Sequence, residues 1–298
     1  MASSSKTLRG KIAIVGYGET PHVRNWPGRT DYGLCAEAGA MAIQDAGIEP
    51  TDIDALVTLG AGEQPPGPLA HYMGLTNVKW ALGSTMAGSS AGAAFAAAGS
   101  LLASGLVKYV LGTFGGARDT GILGEGQRME ARTVAAGSPA NEFGRGPYGQ
   151  TVAANDGYGH MYTRHMHEFG TTREQLAKIA VNQRFNTLNV PRSFFASHGP
   201  ITVDDVLGAR YTNYPITLLQ SVMPVAGAIS WVMTRADLAK SHPHPPVYVL
   251  GIGVREHSPQ PDMQQTRWVE PGVKYTSRLA YEMAGYGPND MDFANFYD

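Results

Sequence analysis

Cysteine is nearly absent: Cys35 is the one thiol in 298 residues. A disulfide framework and a zinc site built on paired cysteines are thereby excluded, and the usage suits a reducing compartment. Charge is scarce as well. Lys plus Arg number 23 and Asp plus Glu 25, a net charge of −2 and a charged fraction of 16%, where an average globular chain carries about 25%. The basic excess of a nucleic-acid binder is missing, so no nucleic acid is expected as a partner. Acidic tails and polybasic membrane patches are missing too. The opening MASSSKTLRGK lacks the apolar core of a signal peptide, and the expected location is cytoplasmic.

Glycine, by contrast, is abundant at 37 residues, which points to tight turns and close backbone approaches. The uncharged stretch from Trp80 to Val107 is long enough to cross a bilayer. It reads WALGSTMAGSSAGAAFAAAGSLLASGLV, and Ala, Gly and Ser gain little on entering lipid. No membrane span is therefore expected. A helix of such small residues, Gly88 to Gly105, is expected to pack closely on all sides inside a large core.

Lys11 to Gly16 (KIAIVG) is a continuous apolar run closed by glycine, the pattern of a strand buried on both faces. A helix is expected from Thr30, an N-cap residue, to Gly47, with Pro50 beyond. Asp52 to Gly60 (DIDALVTLG) reads as a second strand, and strand–helix–strand is the order of a parallel sheet. The same order returns near the other end. VYVLGIG (Val247 to Gly253) ends in Gly-x-Gly, as Gly16-Tyr17-Gly18 does, and SRLAYEMAG closes at Gly285 with Pro288 beyond. DMDFANFYD then matches the second strand. With Ala42 set on Ala280, the same shift aligns Ala46 with Ala284, Gly47 with Gly285, Pro50 with Pro288, Asp52 with Asp290 and Asp54 with Asp292. An internal duplication accounts for both the helix end and the strand before it.

Between the copies, Phe114 to Gln150 is glycine-rich and irregular, the kind of stretch that covers sites. A helix follows in GTTREQLAKIAVNQRF, with Thr172 and Gln175 as a capping box and Leu176, Ile179 and Ala180 on one face. A short helix begins at Thr202, and SHPHPP (Ser241 to Pro246) reads as a stiff, exposed linker.

Gly88-Ser89-Ser90-Ala91-Gly92 matches the G-x-S-x-G turn, placed where a strand should give way to a helix. Backbone amides and the helix dipole would there stabilise negative charge. A hydrolase would also need an acid and a histidine downstream. The candidates, Asp204 and His242, sit at a helix start and in the proline linker. The turn can equally serve to start a buried helix, or form a site without a serine nucleophile. His160, His165 and His167 read as a solvated or interface helix rather than a metal site, and no metal is expected. Cys35, among alanines, reads as a small buried apolar residue. Tyr297 closes an apolar run at its carboxyl end, the edge where α/β sheets place their sites.

These residues taken together resemble the thiolase superfamily, in its sterol-carrier-protein-x or lipid-transfer-type branch. The carriers are KIAIVGYGETPH, QDAGIEPTDIDAL, AGSSAGAAFAAAGSLLASG, YTRHMHEFGTTREQLAKIAVNQR and ITVDDVLGARYTNYPITLLQSVMPVAGAIS. The resemblance implies an α/β, five-layered α-β-α-β-α fold of two βαβαβαββ halves, the C-terminal half incomplete. Residues 1–240 would form the first half, with a loop-domain insertion at about 115–215, and residues 247–298 part of the second. It also implies acyl-CoA chemistry, a homodimer, and coenzyme A entering as acyl-CoA substrate. The departures are chemical. Relatives carry a reactive cysteine where this chain has Gly88 or Ser89, and an Asp-Gly-Ala turn where it has Ala226-Gly227-Ala228. A thiol near pKa ~8.5 is readily tuned to a thiolate at a helix start, and a serine hydroxyl is not.

Retro-aldol cleavage of a β-hydroxyacyl-CoA needs no covalent intermediate. It needs a base at the hydroxyl and donors that hold the thioester enolate. Members of the branch without the cysteine resemble steroid side-chain aldolases, which use a tyrosine and associate with a small OB-fold partner. By that analogy Tyr297 is the acid/base, Ser89 is catalytic, and Gly88 and Ser90 line the thioester pocket. The alternatives are an acetyl-CoA acyltransferase-type activity with a partner subunit, or a non-catalytic acyl-CoA or lipid-transfer protein.

Overall fold

The apolar run near the start becomes β1 (Ile12–Glu19), in a computed structural model that describes residues 7–59, 65–84, 89–117, 145–146, 149–150, 154–255 and 272–296. Then come α1 (Asp31–Ala46), β2 (Ala55–Leu59), α2 (Pro66–Tyr72), β3 (Trp80–Ser84), α3 (Ser90–Ala103) and β4 (Tyr109–Gly116). After a small hairpin of β5 (Arg145–Gly146) and β6 (Gly149–Gln150) lie α4 (Ala154–Phe169), α5 (Arg173–Thr187) and α6 (Val203–Gly208). A second hairpin, β7 (Tyr211–Asn213) and β8 (Ile216–Thr217), leads to β9 (Gly227–Arg235), α7 (Ala236–Ala239), β10 (Val247–Tyr248) and α8 (Gly272–Ala284).

Six strands form one sheet in the order β10-β1-β9-β4-β2-β3. β2 runs parallel to β3 and β4, while β9 runs antiparallel to β4 and β1. β1 to β4 therefore share one direction and end together at Glu19, Leu59, Ser84 and Gly116. Leaving out the segment between β4 and β9, the order is βαβαβαββ, the order that the resemblance implies for one half.

The two faces of β1 show how alternation sorts the core. Ala13 and Val15 pack with Leu34, Cys35, Ala38 and Ala42 of α1. Ile12 packs on the other face with Ala94, Ala98 and Leu102 of α3. α1 starts where the Thr30 hydroxyl accepts from the Gly33 amide at 3.1 Å and stops at left-handed Gly47. α3 buries Ser90, Ala94, Ala98, Gly99 and Leu102. It is not enclosed on all sides, as its composition predicts, because Ala91, Gly92 and Ser100 face outward and no second layer covers them among the described residues.

The duplication is visible in the packing. A methyl group on Gly16 would run into the Ala42 carbonyl and Ala46, and one on Gly18 into the Ala38 carbonyl. One on Gly251 would meet the Ala280 carbonyl and Ala284, and one on Gly253 the Thr276 carbonyl. These are the same helix positions under the shift that aligns the sequences. Both helices close on glycine in the left-handed region, Gly47 at φ 67° and Gly285 at φ 68°. Both turns are then pinned alike, Asp52 accepting from the Glu49 amide at 2.9 Å and Asp290 from the Gly287 amide at 2.7 Å.

The second copy is not a strand for strand match. Val247 and Tyr248 form the two-residue strand that pairs with β1, with the Val249 amide donating to the Ile12 carbonyl at 3.1 Å, and residues 291–296 form no strand. β2 is a strand because β3 and β4 flank it; residues 291–296 have no such neighbours among the described residues. The proline linker is not freely exposed either. His242 Nδ1 lies 2.7 Å from the Ala46 carbonyl and its ring meets Tyr109 edge-on, while His244 pairs with Asp45 at 3.1 Å.

In the insertion, the Thr172–Gln175 capping box opens α5, and Thr202 with Asp205 opens α6. Ala177 and Ala180 pack on Val206. Ile179, expected on that face, is exposed, because the buried stripe runs through Ala177 and Ala180 and Ile179 points about 100° away from Ala180.

Candidate functional site

The carboxyl edge of the parallel strands gathers the candidate chemistry. β3 ends there at Ser84, and α3 begins immediately above the same edge. Ser89 stands at the N-cap position with its hydroxyl unused for capping. Ser90, the first helical residue, is 7% exposed, and its carbonyl accepts from the Ser84 hydroxyl at 2.9 Å. The helix start is therefore tied to the strand end, and its first amides remain directed at whatever lies above the edge. Of the four residues expected in the site, Ser89 and Ser90 are brought here. Gly88 and Tyr297 lie outside the described residues.

A serine-hydrolase triad is not assembled. His242 docks beside Tyr109, where β4 begins, so it sits at the opposite edge of the sheet from Ser90. Asp204 belongs to α6 in the insertion. Nor is there a thiol near α3. Cys35 is fully buried on the α1 face. Burial pushes its thiol up to about 11, and the adjacent Thr113 hydroxyl offsets that only in part.

The Ala226-Gly227-Ala228 turn is fixed from the end of β1. The Thr20 hydroxyl accepts from the Ala228 amide at 2.8 Å, and the Thr20 amide donates to the Ala228 carbonyl at 3.0 Å. Val23 bridges to Ala226, and the His22 amide donates to the Arg192 carbonyl at 2.9 Å. These contacts hang the insertion from the sheet edge. Between them lies a pocket of about 660 Å³. His22 and Val225 wall it on the sheet side; Tyr162, Arg184 and Phe195 wall it on the insertion side. The Arg184 guanidinium lies 4.0 Å from the centre of the Phe195 ring. Arg24, Arg184 and Arg210 all line the pocket, and among the described residues no carboxylate does. Such a lining suits an anionic ligand with flat, aromatic or apolar parts.

Sequence reasoning passed over this pocket. Its arginines and aromatics are spread from Arg24 to Arg210 without a local motif, and only the fold collects them. It also passed over the cluster around Glu19. That carboxylate accepts from the Tyr17 hydroxyl and lies 3.1 Å from His22 Nε2 and 3.8 Å from Arg192 Nη1. Partial burial, followed by the hydrogen bond to Glu19 and its charge, raises the Tyr17 phenol above its ordinary range.

Among the described residues no group of three metal-ligating side chains occurs, and no helix is long and apolar enough to cross a membrane. The chain matches no family model. It is 28% identical over 300 residues to the steroid side-chain-cleaving aldolase of Thermomonospora curvata, covering 98% of this chain and 75% of that one. It is 27% identical over 301 residues to the 17-hydroxy-3-oxo-4-pregnene-20-carboxyl-CoA lyase of Mycobacterium tuberculosis, covering 98% and 76%. Among solved structures, an Ltp2-ChsH2(DUF35) aldolase superposes with a TM-score of 0.79 at 26% identity, over 95% of this chain and 72% of that one.

Proposed function

We propose, from the premise that this chain is a thiolase-superfamily protein of the sterol-carrier-protein-2-like branch without the nucleophilic cysteine, that it cleaves a β-hydroxyacyl-CoA by retro-aldol chemistry. The observation that carries the reading is the start of α3. It presents helix amides and the Ser89 hydroxyl at the sheet's carboxyl edge, while Cys35 is buried on the other face. A thiol acyl-enzyme has no place to form there. Stabilisation of a thioester oxyanion does. The relatives' names, an aldolase and a CoA lyase, support the same chemistry.

In this reading the pocket's arginines hold the phosphates of coenzyme A, which enters as the substrate's carrier. The hydroxyl gives up its proton and its oxygen becomes the carbonyl oxygen of the released aldehyde or ketone. The Cα–Cβ bond breaks, and its electron pair passes into the thioester as an enolate. The amides at the start of α3 and the Ser89 hydroxyl hold the enolate oxygen, with Gly88 and Ser90 lining the thioester. Tyr297 is the acid/base through which a proton returns to Cα. A phenol ionises near pKa ~10, so it serves well as that donor.

The reading includes a partner. The solved aldolase of similar fold carries a two-part name, Ltp2-ChsH2(DUF35), and a small OB-fold protein is the partner the resemblance implies.

The test is incubation of the protein with β-hydroxyacyl-CoAs, with and without such a partner, with chromatography of the products. A shortened acyl-CoA plus a ketone (from a tertiary β-carbon) or an aldehyde (from a secondary one) is the expected outcome. Tyr297→Phe should lower kcat about 100-fold, the usual worth of a positioned acid/base, and Ser89→Ala by a comparable factor. Undiminished turnover in Tyr297→Phe would remove that assignment. Calorimetric binding of acyl-CoA with no turnover under any condition would instead make the protein a carrier.

A further inference from the structure

Glu19 is placed by register. It stands opposite Ile229 of β9, which stands opposite Phe114 of β4. Two residues earlier, Tyr17 stands opposite Trp231, whose ring stacks on Phe95 of α3 at 5.0 Å. Alternation therefore puts the Glu19 side chain on the α3 face, at the edge where α3 begins. The side chain is only 15% exposed. A carboxylate so covered needs partners, and Tyr17, His22 and Arg192 supply them.

His22 joins this cluster to the pocket. Its ring lies against Gly227, where a methyl group would come within 2.6 Å of Cδ2, and it forms part of the pocket wall. Nε2 is committed to Glu19 at 3.1 Å. A carboxylate accepts, so at that distance it is Nε2–H that faces Glu19, and in the neutral imidazole the other nitrogen, Nδ1, is the acceptor. No protein group among the described residues bonds to Nδ1. An acceptor in a pocket wall selects a ligand that offers a donor, and a hydroxyl does so where a methylene or ketone does not.

We propose that His22, held by Glu19, receives the hydrogen bond of the acyl group's hydroxyl, so that the pocket selects hydroxyacyl-CoAs over their keto and unsubstituted counterparts. The proposal rests on the acyl-CoA reading above and deepens it. In the cleavage, the hydroxyl proton passes to Nδ1 and the oxygen's electrons form the carbonyl of the released aldehyde or ketone. The broken C–C bond's pair enters the thioester enolate, and the Tyr297 phenol protonates Cα. Proton transfer from the His22 imidazolium to the Tyr297 phenolate through solvent restores both groups. Glu19 touches no substrate; it is a positioning residue.

Calorimetry separates this proposal from the activity itself. The wild type should bind a 3-hydroxyacyl-CoA about tenfold more tightly than the matched acyl-CoA and 3-ketoacyl-CoA, the worth of one hydrogen bond in a partly open site. His22→Phe, close in size, should bind all three alike with the affinity of the unsubstituted compound. Glu19→Gln should reduce the preference a few-fold. For a wild type that cleaves, kcat of His22→Ala should fall at least about 100-fold and be partly restored by added imidazole, which a merely structural role would not permit. Equal binding by the wild type, or a preference that survives in His22→Phe, overturns the proposal. A preference without cleavage sinks the retro-aldol reading and leaves hydroxyl recognition by His22 standing.

Discussion

Two buried side chains set the chemistry at the scale of single residues. Asp54 is 3% exposed and accepts from the Lys108 and Tyr109 amides at 3.0 and 2.9 Å, with Lys79 at 3.5 Å. It fixes the start of β4 against β2. Asp54→Ala leaves two covered amides unpaired and should cost about 3 kcal/mol, measured by urea unfolding. Cys35 tests the other face. Its folded thiol ionises only at about 11, whereas an unfolded thiol ionises near ~8.5. Between those values the unfolded chain binds fewer protons, so stability should fall as pH rises from 8.5 toward 11. Cys35→Ser should flatten that slope while leaving turnover at neutral pH unchanged; loss of turnover there would reinstate a thiol mechanism.

At the scale of elements, the seats of the two Gly-x-Gly motifs decide the distance between strand and helix. Gly16→Ala should destabilise the whole protein by about 1–3 kcal/mol or more, because backbone rather than a pliable side chain blocks the added methyl. Gly251→Ala should raise amide exchange in α8 and leave α1 protected; equal loss of protection in both helices would refute the independence of the two seats. Much of this was legible beforehand. Thr30, Gly47, Thr172 and Thr202 mark helix ends through hydrogen bonds that a short stretch of chain makes with itself, so spacing alone reveals them. The packing of α3 was not legible. Its uniform run of Ala, Gly and Ser carries no periodic contrast, and composition cannot say how many neighbours a helix has. The pocket was hidden for a different reason: His22, Arg184 and Arg210 meet only because the insertion folds back onto the end of β1. Sequence also fixed Glu19 and His22 within a recognised motif without revealing that they form a pair.

At the scale of the molecule, the sheet ends on one side in β3, which has no strand beyond it among the described residues. Trp80 lies on that edge at 42% exposure. An open strand edge invites another strand, and a second copy of this chain is the expected occupant. Sedimentation should find a dimer, and Trp80→Lys combined with Ala81→Lys should yield monomers of unchanged melting behaviour. A wild type that sediments as a monomer at all concentrations would exclude this arrangement.

Each glycine pair seats the helix of its own copy: the atoms nearest an added methyl belong to α1 at Gly16 and Gly18, and to α8 at Gly251 and Gly253. A seat of this kind needs only its own strand end and helix, so either copy can form its seat before the other has folded. Because both copies lie on one chain, they then meet at a frequency set by the tether between them and not by protein concentration.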